Sequence, residues 1–391
     1  MARRRTADPA RTAAFRVLRA VTADGAYANL ELSKQRSGLS SADAAFATEL
    51  TAGTCRGMGS YDEIITAASG RPTRSLQPAV LDALRLGAHQ LLAMRVPAHA
   101  AIAATVDLAA LQIGERVSGV VNAILRRVAA HDLDEWVAQL GVDRDEYGRL
   151  ALTYQHPRWV VEAFAELVPE DELAALLAAD NQPPVPNLVV RPGLATQAEL
   201  GGRSARYSPY GAYADGDPGA VPAVAQGRAG VQDEGSQLVA LALARAEAGD
   251  GPWLDLCAGP GGKSALLAGL AIEQGSRLLA SELAPHRAEL VAANLRSYTG
   301  ADRPITVVAD GTRPAWAADV FAKVLADVPC TGLGALRRRP ESRWRRQPSD
   351  LPGLVALQKS LLASAIASTK PGGVIRSEER RGGKECRSRW S

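Results

Sequence analysis

Cysteine is scarce in this chain. Only Cys55, Cys257, Cys330 and Cys386 occur among 391 residues, and no two share a short paired spacing, which excludes a cysteine zinc site and a disulfide framework. Uninterrupted apolar runs of membrane-spanning length are missing as well, so no membrane partner is expected. The opening Met-Ala-Arg-Arg-Arg-Thr-Ala-Asp-Pro carries the charge of a leader without the apolar core that should follow it. These absences predict a cytoplasmic protein without a metal, and nothing in the pattern demands an oligomer, so a monomer is expected.

What is present is ordinary in bulk and uneven in detail. A 391-residue chain that is 47% apolar and 22% charged is long enough for two or three domains with real cores. The net charge of +3 is small, but arginine is clustered. Arg3, Arg4, Arg5, Arg11, Arg16 and Arg19 open the chain, and Arg337, Arg338, Arg339, Arg343, Arg345 and Arg346 follow one another around a single glutamate. Such clusters suit phosphate backbones, or form solvated faces.

One stretch organises the rest. Asp255-Leu-Cys-Ala-Gly-Pro-Gly-Gly-Lys263 follows the apolar Trp253 and Leu254 and runs into Ser264-Ala-Leu-Leu-Ala, the order of a strand, a glycine turn and a helix whose free N–H groups face a ligand. Pro260 within the cluster breaks both the dinucleotide fingerprint and the phosphate loop. Three further strands end in polar residues: Arg277 to Glu282, Ile305 to Asp310, and Phe321 through Asp327 to Cys330. Polar groups at every carboxyl end predict an open parallel α/β sheet with its site on one rim, and the acid at Glu282 stands where a carboxylate accepts ribose hydroxyls.

Asp255-Leu-Cys-Ala-Gly-Pro-Gly-Gly-Lys263 and Asp327-Val-Pro-Cys-Thr-Gly332 resemble the cofactor and active-site motifs of S-adenosylmethionine-dependent RNA cytosine-5 methyltransferases of the RsmB (Sun/Fmu) family. The resemblance runs from about residue 9 to Ile375. It implies an all-α NusB-like bundle, a small α+β subdomain and a Rossmann-like methyltransferase domain, with small-subunit ribosomal RNA as partner. The cofactor residues carried over are Cys257, Ala258, Gly259, Pro260, Gly261, Gly262, Lys263, Glu282, Asp310 and Asp327. Cytosine carbon 5 is a poor nucleophile until a thiolate adds at carbon 6, so a thiol and a base-edge acid are required. Cys330 is expected to assist product release, Asp327 to contact the cytosine edge or the cofactor, and Lys263 to supply a local positive field. Cys257 is expected to be a small buried residue.

The expected organisation is a basic tail at 1–8, a NusB-like RNA-binding domain at 9–132, linker helices and the small subdomain at 133–229, and the methyltransferase domain at 230–375. Leu84-Arg-Leu-Gly-Ala-His-Gln-Leu-Leu92, Val96-Pro-Ala-His-Ala100 and Val121-Asn-Ala-Ile-Leu-Arg-Arg127 carry the N-terminal resemblance. His89 and His99 are read as packing residues rather than ligands. The loop tyrosines Tyr207, Tyr210 and Tyr213 either stack on bases or pack on the surface.

After Lys370-Pro-Gly-Gly-Val-Ile375 the resemblance implies an apolar strand ending in Thr-Cys, the covalent nucleophile. Residues 376–391 are instead charged and lack alternation, so they are predicted not to form a central strand and to be non-native sequence. Cys386 lies in Lys-Glu-Cys-Arg and is not given the nucleophile's role. The reading is therefore a compromised RNA cytosine-5 methyltransferase. The alternatives are an N-methyltransferase, which Cys330 after Pro329 disfavours, and a NusB-like RNA-binding module with a vestigial cofactor domain, acting in ribosome assembly or antitermination.

Overall fold

Capping residues set the helix starts in the first half of the chain. The computed structural model describes Arg5, Thr6 and residues 8–378; Arg3, Arg4 and residues 379–391, Cys386 among them, lie outside the described residues. These divide into a helical unit, residues 8–183 with Gly332–Pro348, and a sheet unit, Pro184–Thr331 with residues 349–378.

In the helical unit α1 (Pro9–Ala23) starts where Asp8 accepts the Arg11 N–H at 2.8 Å, and proline occupies a first-turn position that needs no donor. After α2 (Ala28–Gln35), Ser40 caps α3 (Ser41–Ser69), and α4 (Pro78–Leu92), α5 (Ala98–Gln112) and α6 (Ser118–Val128) complete the bundle. Leu18, Leu50, Ile64, Ile65, Leu84, Leu86 and Leu125 are fully buried at its centre, each worth about 1.5–3 kcal/mol of apolar burial. His89 is buried and hydrogen-bonds through Nδ1 to the Tyr61 hydroxyl at 2.8 Å, and burial holds its pKa below the ordinary histidine value. It packs, as expected. His99 does not: it sits exposed in the first turn of α5, ahead of the buried face.

The linker helices α7 (Leu133–Gly141), α8 (Glu146–Thr153), α9 (Arg158–Ala165) and α10 (Glu170–Asp180) also belong to this unit. Trp136 explains the first of these attachments, because its ring enters the bundle core and its indole N–H donates to the Val128 carbonyl at 2.9 Å. The sequence grouped these helices with the small subdomain at 133–229; the division instead falls at the Gln182-Pro-Pro-Val-Pro break, where the prolines end helical structure.

The sheet unit opens with a small antiparallel sheet of β1 (Asn187–Val190), β2 (Arg203–Ser204), β3 (Gly211–Tyr213) and β4 (Ala229–Val231), in the order β2-β3-β1-β4. α11 (Glu234–Arg245) then leads to β5 (Trp253–Asp255), α12 (Gly262–Glu273), β6 (Leu278–Glu282), α13 (Pro285–Leu295), β7 (Ile305–Val308), β8 (Phe321–Asp327), α14 (Leu351–Ser368) and β9 (Thr369–Glu378). Among the described residues the five later strands form one parallel sheet, β7-β6-β5-β8-β9. The chain order reverses at β5 and β8, which makes a crevice beyond their carboxyl ends.

One expectation changes here. β9 continues past Ile375 and pairs Arg376, Ser377 and Glu378 with Leu325, Ala326 and Asp327. An edge strand has one hydrogen-bonded neighbour, so it tolerates charge that a central strand would exclude. Among the described residues α14 is also long and apolar enough to cross a membrane by length and composition. Its Leu361 and Ala365 instead pack with Phe321 and Val324 of β8.

Candidate functional site

Asp255 closes β5 with its side chain buried, its Oδ2 accepting the Ser264 hydroxyl at 2.6 Å. Burial, with Asp327 nearby, pushes its pKa up to about 7, against the pull of the Ser264 hydrogen bond. Asp255 thus ties the strand to the first turn of α12 and shapes the loop between them.

Glu282 ends the neighbouring strand and turns into that loop. Its Oε2 accepts the Gly259 N–H at 3.0 Å, its Oε1 accepts the Ala284 N–H at 3.0 Å, and it is only 5% exposed. The approach requires glycine: a Cβ on Gly259 would lie 2.1 Å from Glu282 Oε2. Two residues that the sequence did not single out brace the loop from α13. Arg287 donates to the Gly259 carbonyl at 2.7 Å and Asn294 to the Pro260 carbonyl at 2.9 Å. Their signal, a polar face on the helix after Glu282, is too common to select them.

Lys263 reaches the rim from the first turn of α12. Its ammonium lies 2.7 Å from Asp327 Oδ2 and 2.8 Å from Glu378 Oε2. Burial opposes the charge, but the two carboxylates outweigh it and raise the lysine pKa. This revises the expected part of Lys263: its field is directed into two carboxylates, and the structure records no bond from it to Cys330. Glu378 carries no signal in the sequence, because the apolar pattern of its strand ends at Ile375 while β9 runs on to Glu378.

Cys330 lies half-buried in the loop after Asp327, and the Pro329 carbonyl beside it accepts from Gln358 of α14 at 2.9 Å. Cys257 is also half-buried, and burial together with Asp255, Asp327 and Glu282 pushes its thiol up to about 12, so it stays protonated at neutral pH. Asp310 falls beyond β7 and turns on itself, accepting Thr312 N–H at 2.9 Å and Thr312 Oγ1 at 2.7 Å; these hydrogen bonds lower its pKa. Ala258 and Gly261 are buried, Gly262 is half-buried and Pro260 is exposed.

The expected RNA-binding arginines fare unequally. Arg343 is fully buried and donates to the Gln155 carbonyl at 2.7 Å and Asn181 Oδ1 at 3.0 Å, so it is withdrawn as a phosphate contact. Arg339 and Arg345 stack over the Tyr27 ring at 4.5 and 5.3 Å. Arg337 is exposed and donates to the Gln182 and Pro183 carbonyls, while Arg338 and Arg346 are half-buried. Of the loop tyrosines, Tyr213 donates to Glu234 at 2.8 Å and Tyr210 packs into the core, while Tyr207 is 60% exposed under the Arg206 guanidinium.

The donor set suits a nucleoside-like cofactor. A carboxylate at the end of β6 faces a glycine loop that a Cβ would fill, and further acids stand beyond β7 and β8.

Comparison with known proteins agrees. Residues 240–376 match the family model of the 16S rRNA methyltransferase RsmB/F, and residues 8–130 match that of the NusB family. A Mycobacterium tuberculosis protein bearing a provisional methyltransferase name is 49% identical, over 95% of this chain and 83% of its own length. The ribosomal RNA small subunit methyltransferase B of Pseudomonas putida is 32% identical, over 93% of this chain and 84% of its own. Among solved structures, that of PH0851 superposes with a TM-score of 0.77 at 20% identity, over 95% of this chain and 85% of that one, a likeness of fold.

Proposed function

Since the chain belongs to the RsmB/F family of 16S rRNA methyltransferases, with a NusB-type domain ahead of a Rossmann-like one, we propose that it binds S-adenosylmethionine and acts on carbon 5 of a cytosine in small-subunit ribosomal RNA. The observation that carries this reading is the rim itself. The glycine loop after β5, Glu282 at the end of β6 and the Asp327-to-Cys330 loop at the end of β8 lie along one edge of the sheet, with Lys263 joining the first to the last.

When bound, the cofactor supplies an electrophilic methyl sulfonium. Glu282 would accept hydrogen bonds from its ribose hydroxyls, and Asp310 and Asp327 would line the remainder of the nucleoside seat. Asp327 would also hold the cytosine edge, with Lys263 keeping its carboxylate in place. Cys330 acts at the end of the reaction, assisting loss of the carbon 5 proton and elimination of the thiol joined at carbon 6. That thiol is supplied in the covalent scheme by a Thr-Cys at the end of β9. The sequence after Ile375 has no such pair, and Glu378 holds Lys263 there.

The consequence is a chain that binds cofactor and RNA and methylates weakly or not at all. It works in the cytoplasm as a monomer. Calorimetry with S-adenosylmethionine should give a micromolar-range Kd, and transfer of labelled methyl to 16S RNA should stay near background. Turnover at the rate of an intact family member overturns the impairment. Absence of cofactor binding overturns the enzyme reading and leaves the RNA-binding module, which the missing nucleophile favours.

A further inference from the structure

The chain leaves the sheet unit at Thr331, one residue after Cys330, and residues Gly332–Pro348 fold with the helical unit before the chain returns at Ser349. This strap is anchored at four places within the helical unit. Leu333 and Leu336 are buried in the cluster formed by α8, α9 and α10. Glu341 is 1% exposed and accepts the Ala28 N–H at 3.3 Å. Arg343 fills the interior, and the Gln155 carbonyl that receives it belongs to a residue in left-handed backbone, φ 57°, a conformation that persists only where its surroundings hold it.

The fourth anchor is Trp344. Its indole N–H donates to the Cys55 and Arg56 carbonyls at 3.0 and 3.1 Å, which lie inside α3. Its ring lies against Gly59, where a Cβ would fall 2.1 Å from Cζ3. The match of an indole to a helix face stripped of one side chain is specific, and it seats the strap at a single register.

We infer that the strap is a positioning device for the Cys330 loop, with Trp344 and Arg343 as positioning residues that fix one end of the segment whose other end presents the thiol. Loops that carry chemistry are held by what their ends are attached to. Here the chain enters a segment anchored within the helical unit two residues after Cys330, so each anchor that is released lengthens the free loop that carries the thiol. The functional meaning rests on the reading of Cys330 as the product-release thiol; the mechanical claim does not.

The test uses the full chain and a readout that a merely structural role would not move. Iodoacetamide alkylation of Cys330 is followed by peptide mass mapping in the parent, Trp344→Ala and Gly59→Ala, with Cys257 as internal reference and calorimetric S-adenosylmethionine affinity measured in each. Gly59→Ala displaces the ring from α3 without altering the strap. Both variants should alkylate Cys330 at least about fivefold faster, as expected of a loop released into local opening, with Cys257 and cofactor affinity unchanged. Trp344→Phe, which keeps a smaller aromatic ring but loses the N–H donor, should fall between parent and Trp344→Ala and decides the matter if the alanine variant fails to fold by circular dichroism. Cys330 rates equal to the parent in folded variants overturn the proposal. Failure of the parent to bind cofactor would instead strike the methyltransferase reading and leave this inference standing.

Discussion

Two buried cations are handled in opposite ways by the two units. Lys263, in the sheet unit, meets carboxylates from two neighbouring strands and has its pKa raised despite burial. Arg343, in the helical unit, is more deeply buried and donates to a carbonyl and an amide oxygen; burial lowers it to about 9, which leaves it charged at neutral pH. A lysine that meets two acids belongs to a polar rim, where ligands exchange with protein groups. A guanidinium whose Nη1 donates to two neutral oxygens, while its buried Nε and Nη2 find no partner among the described residues, is a structural cross-link held by packing as much as by hydrogen bonds. Position in the fold, rather than the charge, separates the two.

The contrast extends to Asp255, a buried acid whose main partner is a hydroxyl, and here the largest effect is expected. The folded chain holds this proton to about pH 7, whereas the unfolded chain releases it near pH 4. The native state therefore binds more protons between those values, and the stability attributable to this group falls as pH rises through that window. Asp255→Asn keeps an acceptor for Ser264 and has no proton to lose. In urea titrations at pH 4.0 and 8.0, the variant should gain on the parent by about 4 kcal/mol at the higher pH. A constant difference across pH would place the ionised form in the folded state.

Arg343→Ala comes next. It removes a fully buried side chain and leaves the Gln155 carbonyl and Asn181 without their donor, so the helical unit should lose about 3–4 kcal/mol by chemical denaturation. Arg343→Met, which fills the volume without the charge, should recover more than half of this loss. If methionine were as damaging as alanine, the hydrogen bonds would carry the anchor and the packing would not.

Lys263→Met should cost less, about 2–3 kcal/mol, because Asp327 is about a third exposed and water compensates in part. The loss should shrink when Glu378→Gln is added, since that removes one of the two acids left facing each other. Additive losses would show that Glu378 and Lys263 do not couple, and would align the rim with the Arg343 site rather than oppose it.

The part of this arrangement that was legible in the sequence follows from periodicity and punctuation. The order of β5, glycine loop and α12, the acids closing β6 and β8, and the helices of the bundle were all visible, because strand ends and helix caps are local signals. The burial of Arg343 was not, since six arginines in one short segment look alike until Asn181 and the Gln155 carbonyl are brought to one of them by tertiary structure. The pairing of residues 376–378 was not visible for a related reason: an apolar pattern reports burial of one or both faces of a strand, and the charged end of an edge strand need not show it. Arg287 and Asn294 escaped because support of a loop by the following helix leaves no mark in spacing.

The smallest effect sharpens the rim's side of the contrast by separating Glu282, the acid proposed to receive the cofactor, from the rim's ion pair. Glu282 already receives the Gly259 and Ala284 N–H groups, and Arg287 Nη2 stands 3.6 Å from its Oε2. The loop is thus held in the absence of a ligand, and Glu282 keeps acceptor capacity for hydroxyl donors. Glu282→Gln retains one acceptor oxygen and introduces an amide where Gly259 donates. Affinity for S-adenosylmethionine should fall about tenfold, about 1.4 kcal/mol, with little change in unfolding. Gly259→Ala should weaken affinity by at least as much, because its Cβ would displace the same carboxylate. If both variants bound as the parent does, the ribose seat would lie elsewhere on the rim. Loss in the glutamine variant alone would mean that the loop relaxes around the new methyl while the acid remains the group the cofactor needs.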